Sequence, residues 1–178
     1  MLKKCAFLLL AVAINIGVSN AGNSLDIKRE TERATSLIEH GRYVEARQSL
    51  TQLRERVPID DEVLVRHIDF ELTLCAFELR DNEAEDIMLA FLRRYPESVH
   101  TNDVCFMLAM YYCEREEYKK ARNYLNRVSY RALTADNKEK YNMRMGYIEF
   151  TSGNYDKAYE LFSKLSPTGS YNDHGVYY

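Results

Sequence analysis

The sequence predicts an all-α protein built from about four helix-turn-helix repeats, and three observations predict it. Composition is the first: 178 residues include only seven Gly and three Pro, too few for tight hairpins or a large β-fold, while the Leu, Ala, Glu, Lys, Arg and Tyr content suits packed helices. A short pattern also recurs. His40-Gly41-Arg42-Tyr43-Val44-Glu45-Ala46, Arg115-Glu116-Glu117-Tyr118-Lys119-Lys120-Ala121 and Ser152-Gly153-Asn154-Tyr155-Asp156-Lys157-Ala158 share a Tyr, two polar residues and an Ala. The third observation is the period: with a weaker copy at Ala84, the alanines fall at 46, 84, 121 and 158, spaced by 38, 37 and 37 residues. Four and seven residues after them come Leu50 and Leu53, Met88 and Phe91, Leu125 and Val128, and Phe162 and Leu165, one face of a helix in each case.

The chain opens with Met1-Leu2-Lys3-Lys4, a short cationic start, followed by a run from Cys5 to Val18 that is apolar apart from Asn15. Ser19-Asn20-Ala21 then places small residues at the two positions read by a signal peptidase, so residues 1–21 are expected to be an export signal cleaved after Ala21. The run is too short and too early for a membrane anchor, and no transmembrane segment is expected after its removal. Loss of Lys3 and Lys4 takes the formal net charge from -3 to -5. No basic field remains to hold a phosphate backbone, and nucleic acid is not an expected partner.

The repeat domain is expected over 22–166, in units of about 25–58, 62–97, 100–133 and 137–166. Small residues at Ala34, Ala109 and Gly146 mark the first helix of three units, and Ala46, Ala84, Ala121 and Ala158 mark the second helix of all four. The turns between them are Gly41-x-Tyr43, Glu116-x-Tyr118 and Gly153-x-Tyr155. Tyr43, Tyr118 and Tyr155 start the second helices and should fill the space against the next unit. Pro58 and Pro96 lie 12 residues beyond Ala46 and Ala84, where a proline stops the second helix. The second unit lacks the Gly and Tyr and carries Leu72 where a small residue belongs. Acidic runs at Asp60-Asp61-Glu62 and Glu83 to Asp86 sit where helices begin, which suits capping and the helix dipole better than acid-base chemistry. Residues 167–178 read as the start of a further, truncated repeat with Asn172 or Asp173 as its cap, and such an end would permit self-association; the alternative is a docked or frayed tail.

No catalytic constellation emerges. His40, His67, His100 and His174 are never three or four residues apart, and no HExxH, GxSxG, GxGxxG or GxxxxGK[ST] pattern occurs. The chain is therefore not expected to be an enzyme or to hold a metal or cofactor. Cys75, Cys105 and Cys113, an odd number at unrelated spacings, are expected as thiols packed between helices, with a Cys75 to Cys105 bridge as the alternative.

These residues together resemble the tetratricopeptide repeat over about residues 25–166, with a period a few residues longer than that family's 34. The resemblance implies a right-handed superhelical solenoid in which first helices line a concave groove. Carried over, groove positions are Asp103, Phe106, Met110 and Cys113 in the third unit and Lys140, Met143, Arg144, Tyr147 and Phe150 in the fourth, the alternative being that later repeats or the superhelix closing on itself cover Phe106, Met110, Tyr147 and Phe150. Lys28, Thr31, Thr35, Ile38, Arg66, Asp69, Thr73 and Phe77 give a more polar wall in the first two. Lys140 and Arg144 resemble half of a carboxylate clamp found in this family, but its asparagines and other lysine are absent, so that specificity is not expected.

The stretch Phe91 to Ser98, with Met107-Leu108-Ala109, also looks like spacers of exported bacterial tetratricopeptide proteins of the envelope. Cys105 to Phe162 resembles the N-terminal part of exported tetratricopeptide proteins of Bacteroides-type bacteria. The resemblance implies a periplasmic or cell-envelope scaffold that binds a protein or peptide through the groove. Its alternative is the N-terminal regulatory or ligand-sensing repeat domain of a longer protein.

Overall fold

The computed structural model describes residues 25–166; the export signal expected at 1–21 and the further repeat expected at 167–178 lie outside them. Among the described residues the chain is all-helical. Helix α1 covers 25–39, followed by α2 (Tyr43–Arg56), α3 (Glu62–Glu78), α4 (Ala84–Arg94), α5 (Thr101–Glu114), α6 (Tyr118–Leu125), a 3-10 turn (Tyr130–Ala132), α7 (Ala135–Thr151) and α8 (Tyr155–Phe162). Four helix-turn-helix segments result. The chain divides into two compact units with the boundary between Asp81 and Asn82.

Local chemistry sets the ends of these helices. Helix α2 stops at Arg56, two residues before Pro58, and α4 stops at Arg94, two before Pro96. The Asp61 carboxylate accepts from the Leu64 backbone N–H at the start of α3, and the Thr134 hydroxyl accepts from that of Asn137 at the start of α7. Glu85 and Asp86 occupy the first turn of α4, where the helix dipole favours negative charge.

The turn within each repeat is the same device four times. Gly41 (φ 70°), Arg80 (φ 55°), Glu116 (φ 61°) and Gly153 (φ 80°) all adopt the left-handed conformation. Each donates its N–H to the carbonyl three residues back, and the following residue donates to the carbonyl five back: Gly41 to Ile38 and Arg42 to Leu37, Arg80 to Phe77 and Asp81 to Ala76, Glu116 to Cys113 and Glu117 to Tyr112, Gly153 to Phe150 and Asn154 to Glu149. This is the Schellman closure, which satisfies the last carbonyls of the first helix.

The second repeat is corrected by this register. Its left-handed residue stands four positions before Ala84, whereas in the other repeats five separate it from the alanine. Counting back seven from the left-handed residue gives Ala34, Thr73, Ala109 and Gly146, all buried. The small-residue position in α3 is therefore Thr73, not Leu72, which is half-buried; the Thr73 hydroxyl is satisfied by the Asp69 carbonyl at 2.7 Å.

In the first compact unit, α2 packs against α3. Ile27, Ala34, Ala46, Leu50, Leu53, Val65, Ile68 and Cys75 form its core, with Tyr43 half-buried against it. In the second, α5 packs against α4 and α6, and α7 against α6 and α8. Ala121 and Ala158 are buried there, as the spacing required. Tyr118 is half-buried with its ring edge-on to Tyr147 of the next first helix at 5.6 Å, whereas Tyr155 is 64% exposed and meets Phe150 of its own repeat at 5.5 Å.

Candidate functional site

In three of the four repeats the residue after the second-helix alanine reaches toward the end of the next first helix. Arg47 binds Asp81 at 2.6 Å, Glu85 accepts from the Tyr112 hydroxyl at 2.6 Å, and Arg122 donates to Ser152 Oγ at 2.7 Å and the Ile148 carbonyl at 3.2 Å. The fourth counterpart is Tyr159, 77% exposed. A clasp in one place is thus made with three different donor-acceptor pairs, which is why no motif announces it.

The last of these clasps contains Glu149, only 1% exposed. Lys157 Nζ lies 2.7 Å from one carboxylate oxygen, Asn154 Nδ2 2.7 Å from the other, and Arg122 Nη2 3.5 Å away. Burial alone would raise the Glu149 pKa, but these hydrogen bonds and cations outweigh it and hold the group below the ordinary value. The network lines an open cleft of about 620 Å³ with Gly153, Tyr155 and Asp156. Both cations are already engaged by Glu149, so the cleft presents no uncommitted pair for an anionic ligand.

The expected groove residues divide. Phe106 (6% exposed) joins Cys105, Val128 and Leu133 in a core cluster, with Leu92, Met110, Tyr124, Tyr130 and Tyr141 packed against it. Cys113 and Met143 are buried too. These three lie in the interior rather than on an open groove: α5 packs against α4 and α6, and α7 against α6 and α8, so side chains that an isolated repeat would expose are enclosed. Met110, Lys140, Tyr147 and Phe150 are half-buried and Arg144 is exposed. Of these, Lys140, Arg144 and Tyr147 follow one another at helical spacing along α7, and Lys140 is held to Asp136 at 2.7 Å.

The surroundings of the thiols disfavour the reactive thiolate. Cys75, Cys105 and Cys113 are free and buried, so the alternative Cys75 to Cys105 bridge is not formed. Burial pushes Cys75 and Cys113 to about 11, and Arg144 lies near enough to Cys113 to oppose that rise electrostatically. Among the described residues no three His, Cys, Asp or Glu side chains converge as metal ligands. Among the same residues no helix is long and apolar enough to cross a membrane. Neither a protein-family model, a curated protein nor a solved structure matches this sequence.

Proposed function

We propose that the chain is an exported tetratricopeptide-like scaffold of the cell envelope, whose repeats stack as a right-handed superhelical solenoid and hold another protein or peptide. The observation that carries this reading is the fourfold recurrence of one turn, closed by the same pair of hydrogen bonds, between helices with a buried small residue. Repeats of this kind build extended surfaces from neighbouring first helices. The accessible part of the proposed surface is Met110, Lys140, Arg144, Tyr147 and Phe150: aromatic and thioether groups for anchoring, basic groups for orientation.

A photo-crosslinking residue placed at Met110, Arg144 or Phe150 in cells, with Val44 and Lys119 as controls, tests the proposal. The expected result is one recurrent envelope adduct from the first set and none from the controls. Equal labelling at all positions, or no adduct at Met110, Arg144 and Phe150, would refute the surface. Recovery of the protein in the cytoplasm with residues 1–21 attached would refute export.

A further inference from the structure

The interior of the first compact unit holds a carboxyl group whose surroundings suit an acid better than an anion. Glu71 of α3 is 3% exposed. One oxygen, Oε1, lies 2.6 Å from the Thr35 hydroxyl of α1, and the other, Oε2, is buried without a hydrogen-bond partner. The Thr35 hydroxyl lies 3.1 Å from the Thr31 carbonyl as well, and that carbonyl only accepts. One hydroxyl proton cannot fully serve two acceptors. A protonated Glu71 resolves the count: it donates to Thr35 Oγ, Thr35 donates to Thr31, and the bare oxygen carries no charge. An ionised Glu71 would leave a charged oxygen buried without a partner, the costlier arrangement.

The ionisable groups around it do not reverse this. His67 Nε2, one turn earlier on α3, lies 3.4 Å from Oε1 and is 38% exposed, so water screens whatever charge a protonated ring would carry. Glu39 of α1 acts in the opposite sense, raising the Glu71 pKa. Cys75 follows one turn later on α3 as a neutral thiol, and Arg47 of α2, which acts on that thiol, is bound to Asp81. Burial is the largest influence and drives the carboxyl above its ordinary range, against the Thr35 bond and His67.

We propose that Glu71 is a protonated acid donating to Thr35, so that the contact between α1 and α3 is a proton-dependent latch, closed in mild acid and loosened as the proton leaves. The sign follows from linkage. A carboxyl that keeps its proton longer when folded adds stability below the unfolded value, about 4.3, and loses it as pH rises through the folded value.

The test is the urea unfolding of the full chain and its Glu71→Gln variant from about pH 4 to about pH 8, with carbon NMR of the Glu71 carboxyl in the wild-type protein. The amide keeps a donor for Thr35 and cannot titrate. The wild-type folding constant divided by that of the variant should fall as pH rises, by up to about tenfold per pH unit where Glu71 titrates. The NMR titration should lie above those of exposed glutamates, with or without a His67→Ala substitution. A ratio that is flat or rises with pH, or a Glu71 resonance that titrates with the exposed carboxyls, would overturn the proposal. A rising ratio that His67→Ala abolishes would show an ionised Glu71–His67 pair instead. Should Glu71→Gln fail to fold, the wild-type NMR titration decides alone.

Discussion

Among the described residues Gly146 is the glycine with another helix's side chain closest to it, and replacing it with alanine sets two known terms against each other. It lies within the 17-residue helix α7, where Ala is intrinsically favoured. That preference amounts to about 0.8–1.0 kcal/mol. A Cβ there would stand 2.5 Å from Phe162 Cε1, 2.8 Å from Cδ1 and 3.1 Å from Cζ. Carbon atoms rest at about 3.5–4.0 Å, so the ring must retreat by roughly 1 Å or more. Phe162 closes α8 and is half-buried against α7, and moving it is an overpacking strain of about 1–3 kcal/mol. Gly146→Ala is therefore expected to cost a net of about 0–2 kcal/mol. In a Phe162→Ala background the obstacle is gone, and the same change should stabilise by about 1 kcal/mol. Urea unfolding of the four proteins gives the coupling directly, expected at about 1–3 kcal/mol. Equal stabilisation in both backgrounds, with coupling below about 0.5 kcal/mol, would refute the close crossing.

Other substitutions probe the same construction. Leu at Ala109 or Ala121, both fully buried, should cost about 1–3 kcal/mol in denaturant titrations. Glu116→Gly should stabilise by about 0.5–1 kcal/mol and Gly153→Ala destabilise by about 1, since no atom obstructs the latter and only its positive φ resists. Glu149 is held below its ordinary pKa, so its stabilisation is present at neutral pH and lost as pH falls through its folded value. Glu149→Gln should cost about 1–3 kcal/mol at pH 7 and flatten that acid limb of the stability profile, opposite in sign to the Glu71 effect. Cys75, Cys105 and Cys113 should resist a thiol reagent in the native protein and react on unfolding; rapid native labelling would contradict their burial.

Ala46, Ala84, Ala121 and Ala158, the turn glycines, Pro58, Pro96 and the Asp61 cap were legible in the sequence because each acts within a few residues. A helix face repeats at 3.6 residues, a left-handed turn favours Gly, and a proline removes a donor wherever it stands. Local rules also located the first helices; the strip from Lys140 to Tyr147 rested on the family resemblance, not on spacing alone. Arg80 escaped because a non-glycine held at positive φ by its hydrogen bonds leaves no compositional mark, and the shift from Leu72 to Thr73 followed from that omission.

Tertiary packing decided the rest. Phe106, Cys113 and Met143 belong to helical stripes whose spacing is the same whether they face solvent or a neighbour, and only the placement of α4, α6 and α8 around α5 and α7 enclosed the residues that the groove had been expected to expose. Glu71 and Glu149 are charged letters in the sequence, and charged residues are ordinarily outside. Their burial depends on Thr35, 36 residues away, and on Arg122, 27 residues away. Periodicity determined which residues share a helix face; which face lies against which, and hence which acids leave water, is fixed by contacts between repeats that no local pattern encodes.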